Sequence, residues 1–282
     1  MTKVALHLAA LLLVSFAAAA CGDGGSAPSE QQQDAASILG HAQSGMSGLD
    51  SFRAVMTIET AEGLSDFIMD WRRPDSFRVV IPWEEQEEGA EGSKGVSEGI
   101  VIGNSAYARQ CKAEGEDCGE WSESQRISVY IPLQYPSFDA HWPIVALGLI
   151  VDGQIVGEEE LDGVACIHVA GKLNQLRAIS QTLEESLREQ GATTYGRECT
   201  ATPGEPQECR DVPIEEFMES QAEDIGRGDE NPAPVDIWVG RDDKLLHRFA
   251  TGTLPENLKQ TAIITMKFTY SQFDQVEISA PE

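Results

Sequence analysis

The sequence predicts an α+β protein built on an antiparallel sheet, with helices covering one apolar face of that sheet. Three segments between Phe52 and Trp83 alternate strictly between apolar and mixed positions, and this period of two is typical of strands. The breaks at 61–63 and 72–76 contain residues that favour turns, so the three segments are predicted to form a meander. Helical spacing of apolar residues elsewhere adds helices between the strands.

The apolar positions of the meander are predicted to share one face of the sheet, because successive strand side chains point to opposite sides. These positions are Phe52, Ala54, Met56, Ile58, Phe67, Met69, Trp71, Phe77, Val79, Ile81 and Trp83. A single sheet must cover such a face, either with a second sheet or with helices that leave room for a ligand. The helical segments scattered between the strands favour the second arrangement.

The remaining elements follow from periodicity and composition. The helices are predicted at 34–49, 136–152, 174–190 and 213–225, and further strands at 100–111, 156–173, 235–239, 245–253 and 261–279. The helix within 136–152 is short and almost uncharged, so it must face a core or a lipid-like ligand. The acidic segment 84–99 lacks the alternating Asp/Asn pattern of a calcium loop and is predicted to be a solvated loop.

The N-terminal region predicts export and lipid anchoring. Residues 1–20 combine Lys3, an apolar run and four alanines, as a secretory signal does. Cys21 follows directly, as in a bacterial lipobox, although Ala18 stands where that motif usually has Leu or Val. The alternative is ordinary secretory cleavage that leaves Cys21 free. Residues 21–34 are predicted to be the lipidated cysteine and a flexible tether, and residues 35–282 one folded domain.

The net charge of −27 limits the classes of binding partner that we expect. Nucleic acids and anionic lipid headgroups bind to clustered Lys and Arg, so neither is expected as a general partner of this chain. A strongly acidic surface is compatible with a secreted protein that stays in solution, or with binding to another protein of the cell envelope.

The cysteines other than Cys21 predict disulfides rather than a metal site. Cys111 and Cys118 flank a turn-like hexapeptide, and Cys199 and Cys209 flank a loop rich in Pro and Gly. Local pairing within each couple is favoured, although sequence alone leaves other connectivities open. Cys166 lies in a strand-like segment and is expected to be a buried free thiol. No metal and no cofactor is expected, because neither a CxxC motif nor clustered histidines occur.

Catalysis is not predicted. The chain after the signal holds His41, His141, His168 and His247, without a Gly-x-Ser-x-Gly elbow or a phosphate-binding glycine loop. Carboxylates are abundant because the whole chain is acidic, so no particular pair of them is informative. An enzyme would require a cluster such as His141 with a nearby carboxylate.

Four stretches together resemble the LolA-like, LppX/LprG-type bacterial lipoproteins. They are "SFRAVMTIE", "VGEEELDGVACIHVAG", "PVDIWVGRDDKLLHRFATG" and "TMKFTYSQFDQVEISAP", in the order helix, meander, apolar helix and later strands. The resemblance covers most of residues 35–282. It implies a strongly curved antiparallel sheet, an open half-barrel, with helices closing its concave side.

The resemblance also implies a function. The apolar groove would bind acyl chains of lipids or lipoproteins, for lipid transport or envelope assembly, on a protein anchored to the outer face of the bacterial cell membrane. The groove candidates are Phe52, Met56, Ile58, Phe67, Met69, Trp71, Phe77, Val79, Ile81, Trp83, Trp142, Val145, Leu147 and Leu149. The alternative is a non-carrier interaction or sensor lipoprotein, in which the same fold has a packed core.

Overall fold

The computed structural model describes residues 30–60, 63–74, 76–84, 94–103, 105–123, 140–189, 194–200, 208–220, 222–252 and 263–281. Its helices are α1 (Glu30–Ser47), α2 (Trp142–Ala146), α3 (Gln175–Glu189), α4 (Ile214–Ser220) and α5 (Ala222–Glu230), with a 3-10 turn at Leu147–Leu149. Its strands are β1 (Ser51–Thr60), β2 (Gly63–Arg72), β3 (Ser76–Glu84), β4 (Lys94–Ile102), β5 (Ser105–Cys111), β6 (Ser122–Glu123), β7 (Val151–Leu161), β8 (Val164–Leu173), β9 (Thr194–Thr200), β10 (Glu208–Pro213), β11 (Ala233–Gly240), β12 (Leu246–Thr251) and β13 (Ile263–Ser271).

Eleven strands form one antiparallel sheet in the order β6-β5-β4-β3-β2-β1-β13-β12-β11-β8-β7, while β9 and β10 form a separate hairpin. The sheet is open, since β6 and β7 are the two ends of this order rather than partners of each other. Helices α1 and α2 pack on one face of the sheet. The predicted fold class, an open antiparallel half-barrel with helices on its concave side, is confirmed.

The meander forms as the sequence predicts because its alternating residues match the pleat. Phe52 pairs with Trp71, and Trp71 pairs with Phe77, so all three side chains stand on the same face. The turn between β1 and β2 ends at Gly63, whose φ of 142° suits glycine because other residues rarely adopt it. The register is therefore fixed by the apolar face, since a slip of one residue would expose it.

The prediction of a solvated loop over residues 84–99 is wrong for residues 94–99. They belong to β4, which pairs with β3 from Lys94 opposite Glu84 to Ile102 opposite Ser76. Val96 is the one large apolar residue among residues 94–99, so this part of the strand carries little sequence signal. Its backbone hydrogen bonds to β3 and β5, rather than its own propensity, stabilise it. Residues 85–93 lie outside the described part.

Two helix predictions also need correction. Helix α1 begins at Glu30, inside the segment predicted as tether. The single helix predicted at 213–225 is two helices, α4 and α5, and α5 continues to Glu230 through Gly226 and Gly228. Tertiary contacts offset the low helix propensity of these glycines. Asn174 donates hydrogen bonds to the Ile225 carbonyl and to Asp229, and a Cβ at Gly228 would lie 2.4 Å from Asn174 Oδ1.

Candidate functional site

The predicted apolar side chains of β1 to β3 belong to a surface that continues across most of the sheet. One cross-strand row runs over six strands, β2 to β1 and then β13, β12, β11 and β8, each residue pairing with the next. Its members are Phe67, Met56, Phe268, Phe249, Ile237 and Val169. Because all belong to one hydrophobic cluster, the concave face is a single apolar surface.

A second row crosses the same face nearer the turn between β2 and β3. Phe52 and Trp71 have ring centroids 5.2 Å apart, and the Phe52 and Tyr270 rings are 5.7 Å apart. The His141 ring meets the Trp71 ring edge-on at 4.7 Å. His141 therefore lies in an aromatic environment at the start of α2, where it contributes packing to the apolar surface.

Helix α2 closes the central part of this surface. Trp142 is fully buried, and its ring lies edge-on to those of Phe249 and Phe268 at 5.2 and 5.6 Å. Pro143 suits the first turn of the helix, where no backbone N–H is needed. The helix thus forms where the sequence predicts an apolar helical segment, and it places the largest side chain of that segment in the core.

Helix α1 covers the part of the surface formed by the far strands. It packs against β7, β11 and β12, and its side chains Leu39, Ala42 and Met46 are buried in the same cluster. A Cβ built at Gly153 of β7 would lie only 3.6 Å from Ala35 Cβ, so the helix approaches that strand closely. The apolar stripe predicted for this helix is therefore its contact with the sheet.

Polar contacts among the described residues join the two helices to each other and to the sheet. Tyr270 Oη donates to the Ala140 carbonyl at 2.8 Å, and Gln43 Nε2 donates to the Val145 carbonyl at 3.3 Å. Arg73, from the turn after β2, donates to the Leu49 carbonyl at 2.8 Å and also to the Ser47 carbonyl. Most of the contact between helices and sheet is apolar, and such contact is non-directional.

The predicted groove residues differ in how far the helices cover them. Seven are buried, namely Phe52, Met56, Ile58, Met69, Val79, Trp142 and Leu147. Six keep partial exposure, namely Phe67, Trp71, Phe77, Ile81, Val145 and Leu149. The partly exposed sheet residues lie on β2 and β3, beyond the strands that α1 covers. The side chain of Trp83 and the proposed anchor Cys21 lie outside the described residues.

Sequence reasoning missed the far wall of this surface. Phe249, Phe268 and Tyr270 are as deeply buried as the meander residues. Phe268 pairs with Met56, and the Tyr270 ring contacts the Phe52 ring. The alternation of apolar residues in 263–271 was a usable signal, but pairing β13 with β1 joins residues more than 200 positions apart. No local sequence pattern predicts the pairing of strands so far apart.

The opposite face of the meander holds a ladder of alternating charges. Arg53 and Arg78 both bind Asp70, while Arg78 and Arg109 both bind Glu98. The Glu98 side chain is 0% exposed and accepts a further hydrogen bond from the Gly115 backbone N–H. Burial raises the pKa of Glu98, but the bonds from Arg109 and Gly115 and the charge of Arg78 outweigh it, so its pKa is lowered overall.

A disulfide closes the loop that covers this ladder. Cys111 and Cys118 are joined, as predicted. Glu98 lies beside their sulfurs, the one such grouping of metal-ligating residue types that the described residues contain. Both sulfurs are committed to the disulfide, and the Glu98 carboxylate is occupied by hydrogen-bond donors. This grouping is therefore structural in the oxidised chain.

The remaining cysteines fit their predictions in part. Cys166 is a buried free thiol, and burial raises its pKa. The backbones of Cys199 and Cys209 lie directly opposite each other in the β9–β10 hairpin. Their side chains lie outside the described part, so their pairing stays a prediction.

A cleft of about 490 Å³ lies away from the apolar surface, between α3 and the pair α4 and α5. It is lined by Arg177, Ser180, Gln181, Glu184, Glu185, Arg188, Met218 and Ile225. Its arginines are already paired, Arg177 with Asp229 and Arg188 with Glu184. The polar lining makes it a poor site for an acyl chain. Within the described residues, no helix combines the length and the apolar character needed to cross a membrane.

No family model and no curated protein matches the sequence. Solved structures are similar over most of its length. LprF from Mycobacterium bovis is 12% identical, with 89% of this chain and 97% of that one covered and a TM-score of 0.48. The lipoprotein LppX from Mycobacterium tuberculosis is 13% identical, with 87% and 98% covered and a TM-score of 0.44. The MucA/MucB complex from Pseudomonas aeruginosa is 14% identical, with 88% and 59% covered and a TM-score of 0.32.

Proposed function

We propose that the chain binds acyl chains of lipids or acylated lipoproteins on the concave face, over β1 to β3 and against α2. The observation that carries this proposal is the uneven cover of one continuous apolar surface. Helix α1 covers the strands at the β7 end, whereas Phe67, Trp71, Phe77 and Ile81 keep partial exposure at the other end. Four large, partly exposed apolar side chains on one face form a surface against which an acyl chain can be buried favourably.

The free energy of transferring an acyl chain out of water is compatible with a carrier. An acyl chain of about fourteen methylenes gains roughly 11 kcal/mol on leaving water, at about 0.8 kcal/mol each. The same chain gains a similar amount in a bilayer, so exchange between membrane and protein is nearly balanced and can run in either direction. Trp142 packs α2 against the Phe249 and Phe268 rings, and an entering acyl chain can replace apolar contacts of this kind.

The anchoring and location belong to the same proposal. An acylated Cys21 would fix the chain to the outer face of the cell membrane, with the eight residues 22–29 between it and the start of α1 at Glu30. Those residues span about 30 Å when extended. The acyl-chain site would then work within reach of the bilayer surface, with lipid transport or envelope assembly as its use.

A specific observation supports the alternative as well. Phe52, Met56, Trp142 and Phe268 are fully buried by protein side chains, so the middle of the concave face is already packed. A packed core is what a non-carrier interaction or sensor lipoprotein would have. In that case the protein would bind an envelope partner through its outer surface and carry no lipid.

Native mass spectrometry of the purified protein tests this proposal. We expect the wild type to carry lipid, or to take up a long-chain fatty acid at a stoichiometry of about one. Phe67→Glu should abolish this, because it places a carboxylate on the apolar wall at a large desolvation cost.

The matched control is Leu64→Glu in the same strand, at a side chain that is 71% exposed and pairs with Glu59 on the other face. It should bind as the wild type does. Equal binding by both variants, or a folded wild type that takes up no lipid at all, would contradict the proposed function and favour the packed alternative.

A further inference from the structure

We propose that the Cys111–Cys118 disulfide is a redox switch, which holds the loop 112–117 on the outer face of the sheet and releases it when an external dithiol reduces the bond. Release of the loop loosens β4 and β5, the strands over which it is folded. The proposal concerns the fold alone and does not rest on acyl-chain binding.

The two sulfur atoms of this bond differ in accessibility. Cys111 is 3% exposed at the end of β5, whereas Cys118 is partly exposed. A thiolate of the reductant is therefore expected to attack Cys118 Sγ, with Cys111 Sγ as the leaving group. The second thiol of the reductant then cleaves the mixed disulfide. Two electrons and two protons pass to the cysteines in this way, and the dithiol becomes a disulfide.

The conformation of the loop depends on its closure by this bond. The six residues from Lys112 to Asp117 are all exposed, so burial in the core does not fix them. Asp117 has a φ of 46°, in the left-handed region that residues other than glycine seldom adopt. Because a disulfide restricts the conformations open to the chain between its cysteines, reduction allows the loop to leave this arrangement.

Two contacts transmit the position of the loop to β3 and β4. The Gly115 backbone N–H donates to Glu98 Oε1 at 2.8 Å, and the Glu114 carboxylate binds Arg78 at 2.9 Å. Movement of the loop breaks both contacts. The buried Glu98 carboxylate then loses one of its hydrogen-bond donors, and Arg78 loses one of its counter-charges, so the cross-strand ladder is weakened where β3 meets β4.

Strand β5 is coupled to the same bond at its end. Directly after Cys118, the Gly119 backbone N–H donates to the Gln110 carbonyl at 2.9 Å. The Arg109 guanidinium lies over the Trp121 ring, 4.3 Å from its centroid. Both contacts bring the chain that follows the loop back onto β5. This strand lies next to β6 at one end of the sheet, where local opening exposes less apolar surface than in the centre.

Hydrogen exchange of the intact, ¹⁵N-labelled protein tests the proposal. The oxidised protein is incubated with dithiothreitol without denaturant, and alkylation followed by mass spectrometry confirms that the bond has opened. We expect the amides of Gly115, Gly119 and the strands β4 and β5 to exchange at least tenfold faster in the reduced protein. The amides of β11 and β12 should exchange at the same rate in both states. Oxidised glutathione should restore the original rates.

Two variants assign the response to this bond. Cys118→Ser, at the partly exposed position, should exchange in β4 and β5 as the reduced wild type does and should not respond to dithiothreitol. Cys199→Ser combined with Cys209→Ser should behave as the wild type in both states. A bond that stays closed without denaturant, unchanged exchange in β4 and β5 after reduction, or a response that persists in Cys118→Ser would each overturn the proposal.

Discussion

Replacing Glu98 with glutamine is expected to lower the free energy of unfolding by about 3 kcal/mol. The side chain is fully buried and neutralises Arg78 and Arg109, whose side chains are only 19% and 23% exposed. Glutamine preserves the shape but removes the carboxylate that Arg109 binds, while Arg78 keeps Asp70 and Glu114. Because those guanidinium groups are partly exposed, we expect the loss of free energy of unfolding to lie at the lower end of the range for a broken buried ion pair. Urea denaturation followed by circular dichroism measures it.

Glu114→Gln is the matched control. Glu114 also binds Arg78, at 2.9 Å, but its side chain is 37% exposed. Water can replace that contact, so this variant should lose less than 1 kcal/mol. An equal loss in the two variants would show that burial of Glu98 is not what matters.

The effect of Glu98→Gln should also depend on pH. The folded state lowers the pKa of Glu98, so its carboxylate stabilises the fold fully above the pKa of the unfolded chain. This stabilisation is lost as the pH falls from about 4.3 through the lower, folded-state pKa. The difference in stability between wild type and variant should therefore be constant near neutral pH and shrink in acid. A difference that grows in acid would contradict the assigned pKa direction.

Replacing Trp142 with alanine is expected to cost about 3–5 kcal/mol, the usual range for deleting a fully buried large aromatic side chain. Trp142 joins α2 to the rings of Phe249 and Phe268, so its loss removes the contact of the helix with two strands of the sheet. Thermal and urea unfolding should both shift. The variant is also expected to bind apolar dyes more strongly, because the vacated space lies in the apolar surface.

Trp238→Ala is the control for this substitution. Trp238 stacks on His168 at the outer face of the sheet and is only partly buried, so we expect a loss of about 1 kcal/mol. An equal loss of stability in the two variants would contradict the conclusion that α2 closes the core through Trp142.

The sequence alone was sufficient to predict those strands and helices whose apolar residues face a single core. The pattern from Phe52 to Trp83 predicted three strands, their shared face and their antiparallel order, because alternation and turn residues agree there. The apolar composition around Trp142 predicted a short helix that must be buried. Both depend on local residues alone.

Other features depend on contacts between distant parts of the chain. Residues 94–99 of β4 and the ladder around Glu98 were missed, because a carboxylate is expected in a loop rather than a core unless partners such as Arg78 and Arg109 are known to lie beside it. The continuation of α5 through Gly228 depends on Asn174, more than fifty residues earlier. The exposed fraction of the groove residues also could not be predicted from the sequence, because it depends on how α1 and α2 pack on the sheet.

We place acyl chains over β1 to β3 and against α2, and photo-crosslinking can locate them there. The purified protein is loaded with a long-chain fatty acid that carries a diazirine near its methyl end, irradiated, digested and mapped by mass spectrometry. We expect crosslinks on the strands that carry Phe67, Trp71 and Phe77 and on residues 142–149. An excess of unmodified fatty acid should remove them. Crosslinks confined to the polar cleft beside α3 or to the outer face of the sheet would contradict the claim.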